Sequence, residues 1–190
     1  MLSEKQTEKV LNYAREVLES YVKDRDLPGL PEDDFFDEKR GVFVTLKKGG
    51  QLRGCIGIPR PEMSLGKALR QATCSSSEDY RFSPVQESEL EGLRIEVTVL
   101  TEPEPIDASD PEEYKEKIEI GKHGLIIERD GRTGLLLPQV PEEQNWDVEE
   151  YLQGLCRKAR LPPNAWKEDS TEIRRFEGQI IKEGGGFNDH

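Results

Sequence analysis

With 190 residues, 34% of them hydrophobic and 35% charged, the chain holds enough apolar material for one sizeable core and reads as globular rather than disordered. Its formal net charge of −12, from 39 acidic against 27 basic residues, repels phosphate backbones and anionic lipid and argues against nucleic-acid or membrane-surface binding. There is no apolar run of about 18 residues and no secretory start, and three widely spaced cysteines without a CxxC suggest neither disulfides nor zinc, so the expected compartment is the reducing cytoplasm.

Ser3 and Gln6 form a capping box, and Val10, Leu11, Ala14, Val17, Leu18 and Tyr21 recur at helical spacing, which predicts an amphipathic helix to about Lys23. Two prolines, a glycine and an acidic run mark residues 26–34 as a linker. Residues 41–46 and 51–58, joined by Lys47-Lys48-Gly49-Gly50, read as a β-hairpin. Pro59-Arg60-Pro61 ends it, and Ser64 caps a helix to about Cys74. A polar run, residues 75–79, leads into the loop Tyr80-Arg81-Phe82-Ser83-Pro84. Leu93, Ile95, Val97 and Val99 alternate with Arg94, Glu96 and Thr98, the pattern of a half-buried strand. Pro111 after Asp110 opens a short helix.

A second hairpin spans residues 124–128 and 132–137 around Arg129-Asp130-Gly131 and is closed by Pro138. The helix after it, capped near Asn145 or Asp147, turns Val148, Tyr151, Leu152, Leu155, Cys156 and Ala159 inward. Residues 172–181 read as one closing strand and 184–190 as a flexible tail. Hairpin, proline-rich turn and helix recur in the same order over residues 41–75 and 124–160. The expected fold is therefore α+β: a mixed or antiparallel sheet built from a duplicated ββα unit, with helices packed on it, in a single domain over 1–183 with at most a small lobe. In this comparison Arg53-Gly54-Cys55 falls against Leu135-Leu136-Leu137, so any chemistry sits in the first copy.

The heptapeptide Gln51-Leu52-Arg53-Gly54-Cys55-Ile56-Gly57 carries the candidate site. In a strand, the period of two puts Arg53 and Cys55 on one face, where the cation favours thiolate and Gly54 and Gly57 allow close approach. The plainer reading makes Cys55 a small buried hydrophobe and the glycines a bulge or a tight packing point. His123, in Gly-Lys-His-Gly, is the one internal histidine and so the only partner for a Cys–His pair. Glu96 can act as acid or base, pair with Arg53, or face water, and Arg81 between two aromatics can clamp an anion or simply pack. No Walker A, GxGxxG, HExxH or GxSxG motif is present, and two histidines do not make a transition-metal site, so no metal or cofactor is expected.

Residues 52–57 resemble the signature of the AMMECR-like domain family. The resemblance continues through residues 80–84, 95–100, 121–125 and 134–140, then Trp146 and residues 156–159, and covers about residues 5–181. It implies a compact α+β fold with a duplicated unit and no established activity. Through the family's genome context and fusions it implies partnership with a Memo-like protein and a radical SAM protein. The chain departs from the usual pattern at Ser75-Ser76-Ser77-Glu78-Asp79, in place of a more apolar helix end. It departs again at Ala159-Arg160-Leu161, where Ala-Gly-Leu is frequent and supplies a glycine helix stop. Two readings follow. One is a binding or adaptor module with a partner surface at Arg53, Gly54, Gly57 and Arg81. The other is an enzyme using Cys55 with Arg53 on a small anionic molecule, with Glu96 or His123 moving the proton. The lack of a complete catalytic set favours the first.

Overall fold

The computed structural model describes residues 1–184; the expected tail beyond Gly184 lies outside the described residues. The chain divides into two compact units, Met1–Leu100 together with the segment from Gln179, and Thr101–Gly178. In the first, helix α1 (Glu4–Val22) starts at the Ser3–Gln6 capping box. Strands β1 (Val42–Lys48) and β2 (Gln51–Ile58) turn through Gly49-Gly50, both at positive φ, and helix α2 (Leu65–Ser77) and strand β3 (Leu93–Leu100) follow. In the second come β4 (Glu104–Pro105), α3 (Pro111–Lys117), β5 (Gly124–Arg129), β6 (Arg132–Leu136), α4 (Gln139–Gln144), α5 (Val148–Lys158) and β7 (Glu172–Phe176). The last strand, β8 (Gly178–Lys182), returns to the sheet of the first unit.

The first sheet runs β2-β1-β3-β8, with β1 antiparallel to both β2 and β3. Its alternation decides its layers. Val42, Val44 and Leu46 of β1 and Leu93, Ile95, Val97 and Val99 of β3 are buried with Val10, Ala14, Val17 and Leu18 of α1 and Leu65, Ala68, Leu69 and Ala72 of α2. Each of these Val, Leu and Ile side chains, removed from water, contributes about 1.5–3 kcal/mol. The second sheet runs β4-β7-β5-β6 in antiparallel pairs, and Leu125, Ile127 and Ile173 share a core with Tyr151, Leu152, Leu155, Cys156 and Trp166. The fold is α+β, and hairpin followed by helix occurs in both units.

Three elements differ from the sequence expectation. The closing segment is two strands in two sheets, because Glu177 leaves both ladders: its N–H donates to the Thr101 hydroxyl at 2.9 Å and its carbonyl accepts the Thr101 N–H at 2.8 Å. Helix α2 continues through Ser77, since the hydroxyls of Thr73, Ser76 and Ser77 donate back to the carbonyls of Leu69, Thr73 and Cys74 and bury without unmet donors. Helix α4 was not expected; its Pro141 sits in the first turn, where proline is tolerated, and left-handed Asn145 ends it.

The end of α5 shows what the missing glycine costs. Arg160 adopts φ +58°, Leu161 N–H reaches back to the Cys156 carbonyl at 2.9 Å, and Arg160 N–H reaches the Arg157 carbonyl at 3.0 Å. This is a complete Schellman stop built on a residue whose Cβ resists the left-handed region. Arg160→Gly is expected to stabilise the chain by about 1 kcal/mol, read as a higher urea midpoint; a lower midpoint would show that the arginine side chain makes a compensating contact.

Candidate functional site

The site is built on the edge strand β2. The β1–β2 register pairs Leu46 with Gly54 but Lys47 with Leu52, so Arg53 is an extra, bulged residue. A bulge re-aims the side chain it carries, and the Arg53 guanidinium goes to Glu89: Nε donates to Oε1 at 3.1 Å and Nη2 to Oε2 at 2.9 Å. Lys48 Nζ joins the same carboxylate at 2.9 Å, and the Gln86 N–H donates to it at 3.0 Å. Arg53 first, then the Gln86 N–H and Lys48, hold Glu89 down to about 2.

Gly54 lies against the end of α2. A Cβ there would stand 2.0 Å from the Ser76 carbonyl oxygen, inside any real contact, so only glycine allows this approach. Gly57 is covered by its cross-strand partner Phe43, whose ring would lie 2.1 Å from an added Cβ. In the second unit Gly134 has the same role, against Ala159 at the end of α5. The sequence comparison of the two hairpins is thereby corrected: by ladder position Leu52, Gly54 and Cys55 correspond to Thr133, Gly134 and Leu135, and the bulged Arg53 has no counterpart in β6.

Cys55 is held through its backbone. Its N–H donates to Asp79 Oδ2 at 2.9 Å, and its carbonyl accepts from Arg81 Nη2 at 3.2 Å. Asp79 is buried and takes the Arg81 side chain through Nε at 3.0 Å and Nη2 at 2.6 Å, together with the Arg81 N–H at 3.1 Å. These bonds, the Arg81 guanidinium foremost, hold its carboxyl well below the usual carboxylate range despite burial. The Cys55 thiol is partly exposed, and among the described residues the side chain within hydrogen-bond reach of Sγ is the Thr45 hydroxyl, at 3.2 Å.

The structure thus gathers Cys55, Gly54, Asp79 and Arg81 at one point and sends Arg53 to Glu89. Glu96 shares a sheet row with Cys55, since Thr45 pairs with both, but stands two strand spacings away, about 10 Å. Its carboxylate takes Lys47 Nζ at 2.9 Å and Lys182 Nζ at 3.9 Å. His123 belongs to the second unit, where Nδ1 accepts the Glu119 N–H at 3.0 Å and Nε2 faces Glu177 at 3.7 Å. An open cavity of about 940 Å³ beside α1 is lined by Glu8, Arg15, Glu91 and Arg94, and one of about 640 Å³ by Tyr114, Trp166 and Asp169; neither is lined by β2. Among the described residues no group of three His, Cys, Asp or Glu side chains is set to hold a metal ion, and no helix is long and apolar enough to cross a membrane. Sequence reasoning missed Asp79 and Glu89. The Asp79-x-Arg81 spacing was a usable signal for the first; nothing local marked the second.

Comparison with known proteins places the chain among relatives of known sequence and fold. A family model described as AMMECR1 matches residues 11–181. Protein MJ0810 of Methanocaldococcus jannaschii is 49% identical over 176 residues, 91% of this chain and 88% of that one. A protein of Methanothermobacter thermautotrophicus is 44% identical over 97% of each chain. The crystal structure of the uncharacterized protein PH0010 from Pyrococcus horikoshii superposes with a TM-score of 0.77 at 41% identity, covering 96% of this chain and 94% of that one.

Two tests follow from the geometry. Gly54→Ala is expected to cost about 3 kcal/mol or more, the upper range of overpacking, whereas Gly92→Ala, with nothing within 4 Å of its added Cβ, is expected to be near neutral in the same urea titration. Because Glu89 ionises below its unfolded value, its contribution is complete above about pH 4.5 and is lost as pH falls toward 2. Glu89→Gln is expected to make the acid limb of the stability curve shallower; an unchanged limb would mean that Arg53 does not hold the carboxylate in solution.

Proposed function

The chain belongs to the AMMECR1 family, and from that premise we propose that it is a binding or adaptor module whose contact surface is the β2 edge around Cys55. The observation that carries the reading is a division of labour at this edge. Arg53, Glu89 and Lys48 neutralise one another, as do Asp79 and Arg81, so these charged groups serve the fold. Beside them Tyr80 is 90% exposed and Leu52 43% exposed, an aromatic and an aliphatic side chain open to solvent. Exposed aromatics next to an ordered backbone are the usual anchors of protein contacts.

The partners on this reading are the Memo-like and radical SAM proteins that the family's gene context suggests, met in the cytosol, where the three cysteines stay free thiols. A formal net charge of −12 over the whole chain argues against nucleic acid as the partner. The enzyme alternative needs a base at the Cys55 thiol, and the group found there is a threonine hydroxyl.

The test is calorimetric titration of the purified chain with each of the two proteins from the same genome. Tyr80→Ala is expected to weaken binding by about tenfold or more, while Cys55→Ser, which keeps the Asp79 bond to the backbone, is expected to bind within about twofold of the parent. Binding that ignores Tyr80 and is lost in Cys55→Ser would overturn the reading.

A further inference from the structure

In the second unit the loop from Glu119 to His123 is closed by a histidine used as an acceptor. The Glu119 N–H donates to His123 Nδ1 at 3.0 Å, and the His123 N–H returns to the Glu119 carbonyl at 3.0 Å. Gly121, at φ +82°, makes the reversal, and the Tyr151 hydroxyl of α5 donates to the His123 carbonyl at 3.1 Å. The ring is buried. An accepting Nδ1 assigns the ring proton to Nε2, the nitrogen that faces Glu177 Oε1 at 3.7 Å.

We propose that this loop is a proton-operated latch, which neutral His123 holds shut and which a second proton on the ring releases. Protonation turns Nδ1 from acceptor to donor, so that its N–H and the Glu119 N–H oppose each other in a buried place, and of the two bonds that close the loop the side-chain one is lost, leaving the His123 N–H to the Glu119 carbonyl to hold it alone. The charged groups acting on the ring are Glu119 and Lys122 from the loop, Arg175 of β7 and Glu177 just beyond it; Tyr151 of α5 meets the His123 carbonyl, and Glu142 of α4 lies over Gly121. Burial first and Arg175 next disfavour the charged ring and hold His123 below the ordinary histidine range, with Glu177 opposing them. The sign follows: the latch is fully closed above the unfolded value of about 6.5 and opens as pH falls through the lower folded value. The latch is independent of the binding surface proposed on β2.

The experiment is nuclear magnetic resonance on the full chain, in which His190 is the only other histidine. Long-range proton–nitrogen spectra are expected to show His123 neutral with its proton on Nε2 at about pH 7.5, and the exchange protection of the Glu119 amide, corrected for intrinsic rates, is expected to fall about tenfold as the ring titrates. In His123→Asn, whose Oδ1 can stand in for Nδ1, that protection is expected to lose its pH dependence. A ring protonated on Nδ1 overturns the latch, as does protection that stays level through the ring's titration in the parent chain. A fall retained in the asparagine variant overturns it too. The tautomer measurement needs only the parent chain, so the latch stays testable if the variant does not fold.

Discussion

Gly54 lies so close to the end of α2 that an added Cβ would stand 2.0 Å from the Ser76 carbonyl oxygen, the tightest such approach among the described glycines. Everything around the signature depends on it. With the strand seated against the helix end, the chain leaving α2 passes directly along the outer side of β2, and Asp79 and Arg81 meet the backbone of Cys55 there. An edge strand presents unpaired N–H and C=O groups that invite another strand. Here a carboxylate and a guanidinium take one of each, in the way a neighbouring strand would. The buried carboxylate is stabilised by the same arginine, so the pair is satisfied as a unit.

The same logic explains why a motif so rich in chemical groups yields no assembled catalytic set. Each residue of Arg53-Gly54-Cys55 has a structural partner: Glu89, Ser76 and Asp79. The cation that could have served the thiol is re-aimed by the bulge and neutralised by a carboxylate that it in turn holds ionised. Leu52, at the start of the motif, and Tyr80, between Asp79 and Arg81, keep exposed side chains. A segment held in this way is a junction of the fold.

The elements legible in the sequence were those set by local pattern. The Ser3–Gln6 box, the strict alternation of β3, the glycine turn between β1 and β2 and the inward stripe of α5 are all present as read. What escaped was decided by contacts distant in the chain. Thr101 divides β7 from β8 through a residue 76 positions away, and Glu89 reaches Arg53 across 36 positions. The bulge at Arg53 shifts the register by one residue, which spacing alone does not reveal, and it changed which residues of the two hairpins correspond. Arg160 was read as a lost glycine stop, yet the stop is present in full; the backbone hydrogen bonds and the burial of Cys156 and Leu161 outweigh the preference of one residue.

The segment following α2 locks the Cys55 backbone through Asp79 and Arg81, and that lock can be measured directly. The measurement is hydrogen exchange at the Cys55 amide in the intact chain. If Asp79 holds it as the geometry requires, this edge-strand amide exchanges as slowly as those of the central strand β1, although among the described residues no strand pairs with the outer side of β2. Exchange as fast as that of the Gly49-Gly50 turn would contradict the account, leaving the signature strand open and free to move.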